Sequence, residues 1–392
     1  MIDLDKLVNT TVDGLPPSGI RKFFDIAAEM KDAISLGVGE PDFNTPWQIR
    51  EAGINSLKKG QTFYTANSGL MELRREICNY MQRKYNVSYN AKGEVLVTVG
   101  GSEAIDAMIR CVVNPGDEVL IPEPSFVCYS PLTIMAGGVP VPIVTKEEDD
   151  FRLLPEQLKE KITDKTKLLI LPYPNNPTGG VMSKKDLENI AEVLRDTNIL
   201  VLSDEIYAEL RYGEEKHTPF SAIEGMKERT VVVNGFSKAF AMTGWRLGYA
   251  VGPQRIIGLM TKVHQFGIMS SPTTSQYAAI EALKSCDDDV EKMVNEYNNR
   301  RRFIVDGFRN MGLSCFEPLG AFYVFPCIKS TGMSSLEFCE TLLKEEKVAV
   351  VPGDAFGACG EGFIRVSYAY SIEKIKEALV KIERFVKRHR AC

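Results

Sequence analysis

The chain has 392 residues, 44% hydrophobic and 25% charged, with a formal net charge of −5. That length predicts two domains rather than one, and the composition is that of a soluble globular protein. The acidic balance argues against nucleic acid as a main partner, because a phosphate backbone calls for a basic face.

The opening stretch MIDLDKLVNTTVDGLPPSGI has no basic segment followed by an apolar run, so no signal peptide is expected. No apolar run later in the chain approaches the ~20 residues of a membrane helix, which predicts a cytoplasmic protein without a membrane partner. From residue 94 onward, strand-like runs alternate with helix-like segments. The runs are 94–99, 118–121, 139–144, 167–171, 199–203, 230–233 and 247–251. Several are continuously apolar and β-branched, as strands covered on both faces should be. Residues 184–195 carry Leu187, Ile190, Ala191 and Leu194 at helical spacing. This predicts an α/β fold: a mostly parallel, predominantly seven-stranded sheet covered by helices. After residue 286 come a long polar helix (287–310), short strands at 321–325, 348–351 and 363–368, and a closing amphipathic helix over 372–389. These predict a smaller α/β domain. The expected divisions are 1–45 (an N-terminal segment joining the small domain and a dimer partner), 46–285 (large domain) and 286–392 (small domain).

In an open α/β sheet, ligands bind beyond the carboxyl ends of the strands. The strands are followed in turn by GGSEA, PEPSF, PYPNNPTGG, DEIY and NGFSK. One crevice thus receives Ser102, Phe126, Asn176, Asp204, Tyr207 and Lys238: an anion nest, an aromatic plate, an amide, a carboxylate, a phenol and an amine. That set suits an aromatic phosphate ester bearing an aldehyde. Each residue alone has a plainer reading. A glycine pair is also a turn, Asp204 also a helix cap, Tyr207 and Phe126 also core, and Lys238 and Arg246 also surface cations. GVGEPD, at 37–42, is not a dinucleotide fingerprint, because Asp42 stands where the third glycine belongs. The nine cysteines are scattered, with no CxxC pair and no clustered histidine, so reduced thiols rather than metal ligands are expected.

The segments SKAFAMTGWRLGYAVGP, PYPNNPTGG, SDEIYAEL, GEPDFNTP, YTANSGLMELR and FIRVSYA follow one another in an order that resembles the fold-type I, pyridoxal-phosphate-dependent aminotransferases of class I and II. Their bacterial and archaeal aspartate or aromatic amino acid branch is the nearest in flavour. The resemblance implies that Lys238 forms a Schiff base with pyridoxal phosphate and then acts as the catalytic base. It implies that Asp204 faces the pyridine nitrogen, that Asn176 and Tyr207 bond the ring's phenolate oxygen and that Phe126 stacks on the ring. The phosphate would sit at the helix opened by Gly101, Ser102 and Glu103, with Arg246 as its bidentate cation and Ser237 adding a hydroxyl. Tyr64 would reach the phosphate of a neighbouring subunit, which implies a homodimer. Arg365 and Gly39, with Asn176, would hold the substrate carboxylate; otherwise Arg365 is an outward residue on an edge strand. Two further expectations are cis bonds at Glu123–Pro124 and Asn176–Pro177. If Arg246 is to reach the crevice from the start of its strand, 247–251 must run antiparallel to its neighbours.

The sequence departs from many members at Gly235, where a serine would supply a phosphate ligand. A carbon–sulfur lyase on the same fold remains an alternative. So does a non-catalytic regulator, although residues 1–45 show neither a helix-turn-helix nor a basic cluster. The amino donor stays open among aspartate, aromatic and neutral amino acids, with 2-oxoglutarate as the expected acceptor. Arg21 is the candidate partner for a side-chain carboxylate.

Overall fold

The computed structural model describes residues 2–17 and 32–390. Arg21 lies outside the described residues. A two-residue strand, β1 (Ile34–Ser35), precedes the main body. The seven-stranded sheet comprises β2 (Val95–Thr98), β3 (Glu118–Glu123), β4 (Val139–Val144), β5 (Thr166–Leu171), β6 (Leu200–Asp204), β7 (Thr230–Gly235) and β8 (Gly248–Val251), in the order β2-β8-β7-β6-β5-β3-β4. β8 pairs antiparallel with both β2 and β7, and the remaining pairs are parallel. The expected reversal of this strand is therefore present. It brings the start of β8 to the same rim as the ends of β2, β7, β6, β5 and β3.

The inner strands are apolar and buried at nearly every residue because helices cover both faces. β4 differs. It carries Pro140 and Pro142, lies at the sheet edge and exposes Val139 and Val144. Proline cannot donate to a ladder, so an edge is where such a strand is tolerated. The helix Lys184–Leu194 buries Leu187, Ile190, Ala191 and Leu194. It is started by a reciprocal cap between Ser183 and Asp186.

Beyond the helix Asp287–Asn310 lies a second sheet of β9 (Tyr323–Val324), β11 (Val351–Pro352) and β12 (Ile364–Ser367), all antiparallel, with β12 in the centre. The run 348–351 is split, because β10 (Val348–Ala349) pairs in parallel with β1 instead. The first 45 residues thus contribute a strand that composition did not reveal, and it docks on the C-terminal part of the chain. The closing helix is Ile372–His389. Among the described residues no helix is long and apolar enough to cross a membrane.

Candidate active site

At the rim, β2 turns into the helix Gly100–Val112 through Gly100, whose φ of +77° favours glycine. A β-carbon on Gly100 would stand 2.8 Å from Arg246 Nη2, and one on Gly248 would stand 2.6 Å from the Gly100 carbonyl carbon. These two glycines let the helix N-terminus, the start of β8 and Arg246 converge. Arg246 Nη1 donates to the Thr243 carbonyl at 3.0 Å, and its other N–H groups have no hydrogen-bond partner among the described residues. The departure at Gly235 has a local reason. A β-carbon there would lie 3.1 Å from both Gly248 Cα and the Leu247 carbonyl oxygen, leaving a serine little room.

Asp204 ends β6 and is buried. It receives the Tyr129 hydroxyl at 2.6 Å and the Ile206 N–H at 3.2 Å. Burial raises its pKa, and these two donors oppose the rise. Phe126 meets Tyr129 edge to face at 6.0 Å between ring centres. The Tyr207 hydroxyl is 2.8 Å from that of Tyr323. The expected cis bonds at Glu123–Pro124 and Asn176–Pro177 are present, together with a third at Tyr173–Pro174.

Lys238 follows β7, and its Nζ donates to the Gly39 carbonyl at 2.6 Å. Its pKa is lowered to about 8, first by burial and then by Arg365, with Glu40 pulling the other way. Gly39 belongs to a strap over residues 37–45 that ties distant parts of the site together. The Gly37 carbonyl accepts from Arg365, Glu40 accepts from Thr243, Asp42 accepts from Arg300 Nη1 through both oxygens, and Thr45 donates to the Ala241 carbonyl. Arg365 lies on the central strand of its sheet and is 2% exposed, which corrects the alternative of an outward residue on an edge strand. Its Nη1 donates to Asn176 Oδ1 at 2.9 Å. Its guanidinium lies over the rings of Tyr323 and Phe356 at 4.5 and 4.8 Å. Its Nε is buried without a hydrogen-bond partner among the described residues.

A cavity of about 400 Å³ collects these groups. It is lined by Gly101, Ser102, Ser237 and Arg246, by Gly39, Asn176 and Arg365, and by Phe126, Asp204, Tyr207 and Lys238. One residue expected in the site has its side chain elsewhere. The Glu103 side chain does not line the cavity; it accepts from the Val99 N–H and meets His264 Nδ1 at 2.5 Å. Tyr64 is 82% exposed and does not line the cavity of its own chain. Tyr129, Tyr323, Glu40 and Thr243 line the cavity without having been singled out in the sequence. Tyr129 lies three residues beyond Phe126 on the same turn, a spacing that could have marked it.

Residues 31–382 match the model of the family described as aminotransferase class I and II. The chain belongs to that family. An aspartate aminotransferase of Pyrococcus abyssi is 47% identical to it, the match covering 96% of this chain and 97% of the relative. Aromatic-amino-acid aminotransferase 2 of Thermococcus litoralis is 44% identical, over 95% and 96% of the two chains. A solved structure of the Thermus thermophilus aspartate aminotransferase with maleate superposes with a TM-score of 0.92 at 36% identity, covering 96% of this chain and 99% of that one. The protein is a transaminase of the aspartate and aromatic branch, and class I and II aminotransferases imply pyridoxal phosphate as cofactor. The donor set fits that group. Arg246 stands at a helix N-terminus with N–H groups to spare, Asp204 is a buried carboxylate in the cavity wall, and Lys238 has a depressed pKa in the same space.

Proposed function

We propose that this chain moves the amino group of an L-amino acid, whether aspartate, aromatic or neutral, to a 2-oxo acid such as 2-oxoglutarate, with Lys238 as the residue that both retains pyridoxal phosphate and moves the proton. The observation that carries the proposal is the placement of Lys238 Nζ, held by the Gly39 carbonyl, in a cavity lined by Arg246 and Arg365. When bound, pyridoxal phosphate supplies an aldehyde that condenses with amines and a ring that takes up the electron pair left by a departing α-proton.

The chain's own residues divide the remaining work. The helix N–H groups of Gly101 and Ser102, the Ser237 hydroxyl and the Arg246 guanidinium bind the phosphate. Asp204 holds a proton on the ring nitrogen, and its raised pKa reflects burial, with the Tyr129 and Ile206 donors and the Lys238 charge pulling the other way. Asn176 has its Oδ1 engaged by Arg365, which leaves its amide N–H groups to donate, with the Tyr207 hydroxyl, to the phenolate oxygen. Phe126 stacks on the ring. Arg365 clamps the substrate α-carboxylate, and the strap carrying Gly39 closes over it. Lys238, neutral above about pH 8, is placed to take the proton from the substrate α-carbon and would hand it on toward the bound cofactor.

In this reading residues 46–285 form the cofactor-binding body, and 286–392 with 1–45 form a lid that excludes water. The enzyme is a homodimer in which the partner subunit's Tyr64 reaches the phosphate. The exposed surface supports that assembly. Thr273 donates to the Phe63 carbonyl and Asn67 donates to the Met269 carbonyl. These bonds set Phe63 (81% exposed) beside the segment bearing Phe266 (87% exposed) in an apolar face that calls for a cover.

The test is borohydride reduction of the yellow holoenzyme followed by peptide mapping, and then kinetics with a panel of amino donors and 2-oxoglutarate. The label is expected on Lys238; a labelled peptide without Lys238 sinks the assignment.

A further inference from the structure

Tyr323 meets three residues on which the proposed reaction depends, yet it belongs to none of the segments that pointed to the site. Its hydroxyl lies 2.8 Å from that of Tyr207. The Arg365 guanidinium sits over its ring at 4.5 Å. A β-carbon on Gly39 would fall 2.2 Å from its hydroxyl oxygen, so this phenol is what restricts residue 39 to glycine. The two phenol rings meet edge to face at 5.9 Å, and both line the cavity.

We propose that Tyr323 is a positioning residue for the transamination: its hydroxyl donates to Tyr207 and so commits the Tyr207 proton to the phenolate oxygen of the cofactor. This rests on the reading of Tyr207 as a donor to that oxygen. Each phenol has one proton and two lone pairs. If Tyr207 gave its proton to Tyr323, it would have none for the phenolate. An ionised acceptor forms a bond roughly twice as strong as a neutral one, which fixes the order as Tyr323 to Tyr207 to phenolate. Bonds linked in this way strengthen one another by about 10–30%. The Arg365 cation over the Tyr323 ring draws electron density from it and makes its hydroxyl a better donor. Ring and hydroxyl therefore have separable tasks: the ring seats Arg365, and the hydroxyl orients Tyr207.

The experiment uses the holoenzyme and four variants, and it reads the absorbance of the bound cofactor against pH. Tyr323→Phe keeps the ring and removes the donor. The titration midpoint is expected to rise by roughly 0.3–0.5 unit, because a weaker Tyr207 bond leaves more charge on the phenolate and the nitrogen bonded to the cofactor then keeps its proton to higher pH. KM for amino acids should change less than about twofold, since the stack on Arg365 remains. Tyr207→Phe should shift the midpoint further, and adding Tyr323→Phe to it should shift nothing more, as expected for a residue acting through Tyr207. Tyr323→Leu removes the ring as well and should add a rise in KM of about 3–10-fold. The proposal is overturned if Tyr323→Phe keeps the parent midpoint, or if it still shifts the midpoint in the Tyr207→Phe background. A parent enzyme with no titratable absorbance would overturn the reading of the site itself, and that is seen before any variant is made.

Discussion

The two arginines of the cavity are held in opposite ways. Arg246 is exposed, has a φ of +51°, and among the described residues its guanidinium makes one hydrogen bond, to a carbonyl of its own turn. Arg365 is buried on a central strand, donates to Asn176 and to the Gly37 carbonyl, and lies against two aromatic rings. In the proposed roles, the phosphate would meet an open cradle of helix N–H groups and one cation. The proposed carboxylate clamp is already held by Asn176, the Gly37 carbonyl and two aromatic rings. A strong, long-lived ligand needs little preorganisation, whereas a substrate that must enter and leave in each turnover gains from a clamp already in place.

Lys238 is the proposed base as well as the proposed tether, so its loss should outweigh either arginine's. Lys238→Ala should still bind cofactor and lose turnover by several orders of magnitude, measured in single-turnover kinetics with added pyridoxal phosphate. Turnover within tenfold of the parent would remove the lysine from the chemistry. Next in size, Arg365→Ala should lower kcat/KM for amino acids by about 10²-fold or more while leaving the cofactor spectrum intact. Amines without a carboxylate should be affected far less. If this variant instead released cofactor, the division between the two arginines would be wrong. Arg246→Ala should weaken cofactor retention by about 10–10²-fold, with activity partly restored by excess pyridoxal phosphate. Its position in the open cradle makes this the milder of the two arginine losses, and equilibrium dialysis of the cofactor reads it directly. The smallest effect concerns pH. With the Lys238 pKa lowered to about 8, the amine is protonated and unreactive below that value. Capture of pyridoxal phosphate by the apoenzyme should therefore slow about tenfold per unit as pH falls below 8 and level off above it. A rate flat down to pH 6 would mean that burial and Arg365 depress the lysine further.

Much of this was legible because parallel strands deliver polar residues to one rim at predictable places. Asp204 and Lys238 each follow an apolar run, and both line the cavity. The antiparallel β8 followed from asking how Arg246 could face the others. Tyr129 and Tyr323 stayed hidden because an aromatic residue in an apolar stretch looks like core, and both are indeed buried. Glu103 misled for the opposite reason: a carboxylate at a helix start looks like part of the site, while its side chain serves His264 and the backbone of Val99. The strap over 37–45 was legible only as a motif. Its bonds to Arg365, Arg300 and Thr243 join residues hundreds of positions apart, which local patterning cannot show.

The same strap sets the order in which the enzyme can become competent during its synthesis. The strands of the seven-stranded sheet are complete by Val251, so this part of the molecule can begin folding while the chain is still being extended. The Gly37 carbonyl, however, waits for Arg365, which is 328 residues further along, and β1 waits for Val348. Until those residues leave the ribosome, a nascent chain has the proposed phosphate cradle but not the proposed carboxylate clamp. In the proposed roles it would gain the contacts for the cofactor before those for a substrate.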